Sequence, residues 1–230
     1  LGLQVYAVAA APNVKTHAVK VPRIALLHTW ITTQDEGWWR LAFDQHGVPY
    51  AYISTQDAAK DPELRKKYDV IVFGPVGAGT NAIIKGMSAF GNSLPWKTTS
   101  LTPNIGKIDS TDDMRPGLGY SGLANLQRFT QEGGLLIGVM DTAELAVSAG
   151  FTPGLTVGQS SRLKAIGVVL RSKVVDAASP IAYGYGDSLS IYAFNGPLFN
   201  LSNFADGRGG RRRQEGRMTG RGTPDDPDVV

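Results

Sequence analysis

The chain of 230 residues contains no cysteine and only three histidines. Without cysteine it can have no thiol nucleophile, no disulfide framework and no zinc site that uses thiolate ligands. The spacings His-x-x-Glu and His-Glu-x-x-His, which place two ligands on one zinc ion, are also missing. The sequence therefore predicts no metal site and no cofactor in this segment.

Long apolar runs and a strong excess of one charge are lacking as well. No run approaches the roughly 20 apolar residues of a membrane helix, and the formal net charge is only +3. Six arginines from residue 206 onward are offset by five acids, which leaves residues 1–205 with a net charge of +2. This balance predicts no nucleic-acid partner, and the short apolar runs predict no membrane span.

Apolar strand patterns alternate with helix patterns from residue 23 to residue 73. The strand patterns are RIALL (23–27), YAYIS (50–54) and DVIVF (69–73), with a helix beginning near Asp35 and a shorter one around 62–67 between them. Such a series almost always forms a right-handed, parallel sheet with helices on both faces. We therefore predict a flavodoxin-like α/β fold, a three-layer sandwich with a mostly parallel central sheet.

The pattern changes after residue 73. Residues 74–119 have no sustained period, which is typical of a functional loop or an insertion. Beyond them the patterns predict a helix at 120–130, a strand at 135–139, a helix at 142–149 capped by Asp141, and strands at 162–175 and 189–194.

Three segments follow from these patterns. Because the chain starts at Leu1, we expect it to be a piece of a longer protein, with residues 1–22 as a linker or extended strand from an upstream domain. Residues 23–204 form the α/β domain. Residues 205–230 are rich in Gly and Arg and almost free of apolar side chains, so we predict a disordered tail.

One candidate catalytic group lies at the predicted strand ends, where doubly wound sheets bind their ligands. GGLLIGVMDTAEL (133–145) has the strand-turn-helix form of a nucleophile elbow, with Met140 and Asp141 at the turn. His28 could form an acid–base pair with Asp141 or Glu144, as in an independent hydrolase. The alternatives are a helix cap for Asp141 and a structural, hydrogen-bonded role for His28.

Two other groups are candidates for binding. Trp30 and Trp96 could form a platform for sugar or peptide, although tryptophans more often pack in a core. The acidic segment DSTDDMR could bind a hard cation such as calcium, but it lacks the glycine and terminal glutamate of an EF-hand loop. A solvated, self-capping loop is the alternative. The residues concerned are Asp109, Asp112, Asp113 and Arg115.

Three long strings in this chain resemble the C-terminal region of large bacterial zinc carboxypeptidases. They are HTWITTQDEGWWRLAFDQHGVPYAYISTQD (28–57), LPWKTTSLTPNIGKIDSTDDMRPGLGYSGLANL (94–126) and VLRSKVVDAASPIAYGYGDSLSIY (169–192). The resemblance covers roughly residues 1–228. It implies that zinc, its His-x-x-Glu and later His ligands, and the catalytic Glu belong to an upstream peptidase domain. No position here matches those residues, so none of their roles is carried over.

That C-terminal region is similar in turn to the class I glutamine amidotransferase-like fold, whose elbow carries a catalytic cysteine. Met140 stands at that position, so amidotransferase activity is excluded. The resemblance implies a non-catalytic accessory domain of a secreted or periplasmic metallocarboxypeptidase, a hydrolase that acts in proteolysis. The domain would support the upstream peptidase domain of the same chain or help to hold peptide substrate. An independent hydrolase and a carbohydrate- or peptide-binding module are the alternatives.

Overall fold

A four-stranded parallel sheet forms the centre of the molecule. The structure, a computed structural model, describes residues 6–13, 20–158, 167–193 and 196–201. The strands are β1 (Ile24–His28), β2 (Tyr50–Ser54), β3 (Val70–Phe73) and β4 (Leu135–Gly138). They pair in the order β2-β1-β3-β4, and each pair is parallel. The predicted α/β class with a mostly parallel central sheet is confirmed.

Six helices accompany this sheet in the described part of the chain. They are α1 (Gln34–His46), α2 (Thr55–Lys60), α3 (Leu64–Lys67), α4 (Thr80–Lys85), α5 (Gly119–Gln131) and α6 (Asp141–Ser148). The short helix predicted around 62–67 is confirmed as α3, whereas α2, which begins directly after β2, was not predicted. A capping box formed by Ser54 and Asp57 starts α2 at that point. Helix α4 was not predicted.

The two faces of the sheet are covered by different helices. Neighbouring residues of a strand point to opposite faces, and the odd-numbered residues of β1, β2 and β3 enter the main core. There they pack against Leu64 of α3, Leu126 and Phe129 of α5, and Leu145 of α6. The even-numbered residues face α1, as the contact between the Tyr50 and Phe43 rings shows. The molecule thus has three layers.

Residues 86–118, here called the loop segment, run irregularly from α4 to α5. Isolated bridges join Gly86 to Pro116 and Trp96 to Thr111, which folds the segment back on itself. Gly86 has a φ of +78°, and a Cβ atom there would lie 2.0 Å from the Arg115 carbonyl oxygen. Glycine is therefore required where the segment closes.

Beyond α6 the chain forms two small antiparallel sheets. The strands are β5 (Leu155–Gly158), β6 (Val168–Lys173), β7 (Ser188–Ala193) and β8 (Leu198–Leu201). β5 pairs with β8, and β6 pairs with β7. The strand predicted at 162–175 contains β6 and the one predicted at 189–194 overlaps β7, whereas β5 and β8 were not predicted.

The outer segments are only partly described. Residues 6–13 and 20–22 are exposed and have no regular secondary structure. The predicted tail, 205–230, and the predicted end of the domain at 204 lie outside the described residues. No helix in the described ranges is long and apolar enough to cross a bilayer.

Candidate functional site

The turn between β4 and α6 has the geometry of a nucleophile elbow. Met140 lies there with φ 57° and ψ −116°, and it is the one non-glycine residue with positive φ in the described part of the chain. Such a conformation costs about 1–3 kcal/mol and persists where the surrounding structure imposes it. Thr142 helps to impose it, since its buried hydroxyl donates to the Phe73 carbonyl oxygen at 2.6 Å.

Asp141 does not cap α6, and that prediction is wrong. The N-cap position belongs to Met140, and Asp141 is the first helical residue. Its carboxylate instead accepts hydrogen bonds from the backbone N–H of Val76 at 3.0 Å and of Ala78 at 3.1 Å. Two convergent amide donors beside an elbow are what an oxyanion hole consists of. Here the protein's own carboxylate occupies those donors.

His28 does not meet either acid with which it was predicted to pair. Strand β3 lies between β1, which ends at His28, and β4, which leads to Asp141 and Glu144. The Nε2 atom of His28 lies 2.6 Å from Oδ2 of Asp109, and its Nδ1 atom lies 3.2 Å from the Thr29 carbonyl oxygen. The structure therefore gives His28 a partner from the loop segment.

A cleft of about 660 Å³ opens beside this His28–Asp109 pair. We call it the strand-end cleft. Its walls come from the end of β1, the first turns of α1, Tyr52 of β2 and the loop segment. Trp30 and Trp96, predicted as a binding platform, both line it, with exposed fractions of 9% and 39%. The structure thus brings together four of the predicted site residues, His28, Trp30, Trp96 and Asp109.

Aromatic rings form one wall of the strand-end cleft. The His28 ring stacks on Tyr52 with centroids 4.1 Å apart and an interplanar angle of 8°. The Trp30 ring meets His28 edge-on at 4.9 Å. The Arg40 guanidinium lies 4.7 Å from the Tyr52 ring centre, within the range of a cation–π contact. These contacts fix the ring orientations.

Glu36 is the most unusual side chain of the strand-end cleft. It lies in the first turn of α1, yet it is only 4% exposed. The Tyr52 hydroxyl donates to its Oε1 atom at 2.6 Å, while its Oε2 atom has no hydrogen-bond partner within the protein. Burial raises the pKa of the Glu36 carboxyl, and Tyr52, His28 and Arg40 oppose that rise only in part.

Tyr52 shares this environment. Burial and the bond to Glu36 raise the pKa of the Tyr52 phenol well above its ordinary value, so the hydroxyl stays protonated and donates. Two other buried atoms of the cleft residues also lack a partner within the protein, Nε1 of Trp30 and Nε of Arg40. One buried acceptor and two buried donors of the cleft residues therefore lack a hydrogen-bond partner.

The other predicted cation ligands are engaged with basic side chains. Asp113 forms an ion pair with Arg115 at 2.6 Å, and Asp112 forms one with Lys97 at 2.5 Å. These partners hold the pKa of both carboxyls below its usual range. Asp113 also accepts from the Arg115 and Leu94 backbone N–H groups. The structure therefore agrees with the alternative interpretation, a solvated loop whose side chains cap its own backbone. Among the described residues no cluster of three or more metal-binding side chains is placed to hold an ion.

Sequence reasoning missed three residues of the cleft, Glu36, Arg40 and Tyr52. One signal was present in α1. Glu36, Arg40 and Phe43 share a helical face by their spacing, and an acid on the same face as an aromatic residue is unusual. The contact between Tyr52 and Glu36 could not be read locally, because the two residues belong to different elements.

Comparisons with known proteins identify the fold. No protein-family model matches the chain, and no curated protein matches its sequence. Among solved structures it is similar to a glutamine amidotransferase from Thermotoga maritima, with a TM-score of 0.50 and 13% identity. That alignment covers 80% of this chain and 65% of the other. The protein SMU.1228c has a TM-score of 0.44 and 14% identity, over 79% of this chain and 64% of its own.

At these identities the likeness concerns the fold alone. The chain spans just under two thirds of the length of either structural neighbour. Together with the parallel sheet and the elbow at Met140, the likeness to the Thermotoga maritima protein shows a fold of the class I glutamine amidotransferase-like type.

Proposed function

We propose that this chain is a non-catalytic accessory domain that binds a ligand in its strand-end cleft, within a secreted zinc metallocarboxypeptidase. One observation carries the non-catalytic part. The elbow is kept, but Met140 stands at its turn and Asp141 fills the neighbouring amide donors. A thioether cannot attack a carbonyl group as a serine or cysteine does, and occupied donors cannot stabilise an oxyanion.

The binding part rests on the strand-end cleft. It has the size of ordinary small-molecule pockets, about 300–1,000 Å³, and its aromatic wall is fixed by the stack of His28, Tyr52 and Arg40. Apolar walls with a few convergent polar groups are typical of such pockets. Glu36, Trp30 and Arg40 supply those polar groups.

The assignment to a carboxypeptidase rests on sequence resemblance, above all on the string from residue 94 to residue 126. The solved structures bear on the fold only. On this proposal, as the resemblance implies, zinc belongs to an upstream peptidase domain. No chemical step of the proposal runs through this chain.

Turnover assays test the proposal. The purified chain is incubated with p-nitrophenyl esters, glutamine and short peptides, in parallel with the variants Met140→Ala and Asp141→Asn. We expect no product above the buffer background for any of the three proteins. Hydrolysis by the wild type that either substitution abolishes would refute the non-catalytic role.

The full-length protein provides the second test. Its chelator-sensitive release of C-terminal residues from peptides should survive Met140→Ala, since the elbow takes no part in it. Chelator-sensitive cleavage by the isolated chain would instead place a peptidase site in this segment, and the proposal would be wrong.

A further inference from the structure

We infer that the strand-end cleft binds a neutral saccharide, with one sugar ring held between Glu36, Trp30 and Trp96. This inference rests on the proposed binding function and names the chemical class of the ligand. It is carried by the unpaired polar atoms, the charge balance and the aromatic surfaces of the cleft.

The unpaired atoms call for a ligand that both donates and accepts hydrogen bonds. Glu36 is 96% buried and Trp30 is 91% buried, and both line the cleft. Oε2 of Glu36 can only accept a hydrogen bond and Nε1–H of Trp30 can only donate one. Both atoms are closed to solvent in the unliganded protein, so a ligand reaches them when the two side chains turn towards the cleft. A sugar hydroxyl does both, so adjacent hydroxyls of one ring can satisfy the two groups together. Leaving each group unpaired costs about 1–3 kcal/mol.

The charges of the cleft favour an uncharged ligand. Its lining holds two acids, Glu36 and Asp109, and two bases, Arg40 and Lys107. Asp109 is already paired with His28, and Arg40 lies close enough to Glu36 to influence its ionisation. A cationic ligand at Glu36 would face Arg40, and an anionic one at Arg40 would face Glu36. Like charges brought together in a desolvated site are unfavourable.

The aromatic surfaces suit the apolar face of a sugar ring. Trp96 is 39% exposed and lines the cleft, and its backbone is fixed by hydrogen bonds in both directions with Thr111. Its indole is therefore presented on a fixed support. An exposed aromatic ring supplies a flat apolar surface beside polar groups, which is the mixed character of a pyranose.

The loop segment closes one side of the cleft at this place. Residues 104–109 line it, and the contact between Asp109 and His28 ties them to the end of β1. The Asp109 side chain is 22% exposed. The sugar site is therefore built by the sheet, by α1 and by a loop that is tied to the end of β1.

Titration with small saccharides tests this inference. The whole chain is titrated with maltose, cellobiose and N,N′-diacetylchitobiose up to about 10 mM, which detects dissociation constants near about 1 mM. Binding is followed by tryptophan fluorescence. Trialanine and glycyl-lysine serve as peptide probes. We expect saturable binding of at least one disaccharide and none of the peptides.

Matched variants show whether the saccharide binds in the strand-end cleft. Glu36→Gln keeps the side-chain shape, and Trp30→Phe keeps a ring but removes the N–H donor. Each, like Trp96→Ala, should weaken binding at least tenfold, or by about 1.4 kcal/mol. Asp35→Asn removes the neighbouring charge of α1, and Trp38→Ala removes a ring that is 66% exposed and outside the cleft. Both should stay within about twofold of the wild type. Circular dichroism confirms that each variant is folded.

Three results would overturn the inference. They are the absence of saccharide binding, binding of peptides in place of saccharides, and saccharide binding that the cleft variants leave unchanged. Each is distinguishable from failure of the proposed function, which is judged by turnover in the separate assays on Met140→Ala and Asp141→Asn.

Discussion

At the scale of single residues, Glu36 shows a conflict between stability and binding. A buried carboxylate with one unpaired oxygen costs free energy in the unliganded protein. The cost is visible in the pKa of Glu36, which burial raises above its ordinary value. Residues that weaken the folded state in this way are commonly kept for function.

Glu36→Gln should therefore stabilise the unliganded protein at neutral pH, by about 0.5–2 kcal/mol. The raised folded-state pKa means that the contribution of Glu36 to stability is fully present below its unfolded pKa of about 4.3. That contribution is lost as the pH rises through the folded-state pKa. Thermal melts from pH 4 to pH 8 should thus show a difference between variant and wild type that grows with pH. A variant less stable than the wild type at pH 7 would contradict this account of Glu36.

Asp141 is the second residue with an individual structural role, because its carboxylate accepts hydrogen bonds from two backbone amides. Replacing it with alanine leaves the Val76 and Ala78 amides without their acceptor. We expect Asp141→Ala to lower the free energy of unfolding by about 1–3 kcal/mol, the cost of unpaired buried donors. Urea denaturation measures the loss.

Glu144→Ala is the matched control for that substitution. Glu144 also lies in the first turn of α6, so both variants lose one favourable charge near the helix N-terminus. Only Asp141 accepts hydrogen bonds from the backbone amides of Val76 and Ala78. Equal losses for the two variants would show that helix electrostatics, and not the amide contacts, explain the effect of Asp141→Ala.

At the scale of elements, the contact between Asp109 and His28 ties the loop segment to the end of the sheet. It joins a residue of the irregular stretch 86–118 to the end of β1, across 81 positions of sequence. Because His28 is 1% exposed, its ring cannot exchange Asp109 for water without rearrangement. Gln56 of α2 holds the loop segment separately through Thr111 and Asp113, so the Asp109–His28 contact is the tie of residues 104–109 to the sheet and not the only anchor of the segment.

Asp109→Ala should loosen that side of the cleft. We expect a stability loss of about 1–3 kcal/mol from the unpaired buried ring, together with faster amide exchange across residues 104–109. Hydrogen exchange followed by mass spectrometry resolves both. Asp112→Ala is the control, because its partner Lys97 is half exposed and such a pair contributes only about 0–1 kcal/mol. Equal exchange in the two variants would contradict an anchoring role for Asp109.

At the scale of the whole molecule, the parallel sheet could be predicted from the sequence, whereas the strand-end cleft could not. RIALL and DVIVF are short apolar runs, and GGLLIGVMDTAEL contains both a strand and the start of a helix, so local patterns suffice for β1, β3, β4 and α6. The elbow is likewise encoded in neighbouring residues. These elements can be recognised from residues close in sequence, although the strands pair with partners distant along the chain.

The cleft depends on contacts that no local pattern reveals. His28 was predicted to meet Asp141 because both follow strands, but the order β2-β1-β3-β4 separates them. Its actual partner comes from the irregular loop segment. Glu36 and Tyr52 meet through the packing of α1 on β2. Strands β5 and β8 were missed for the same reason, since each is four residues long and its partner is distant in sequence.

Isothermal titration calorimetry tests the central claim most directly, because one experiment reports both binding and turnover. The claim is that the strand-end cleft binds a ligand while the elbow at Met140 catalyses nothing. On injection of a saccharide that binds, we predict heat pulses that saturate and return to the baseline, with a dissociation constant that Glu36→Gln raises at least tenfold. A heat flow that continues after each injection and disappears in Met140→Ala would mean turnover at the elbow, and would contradict the account.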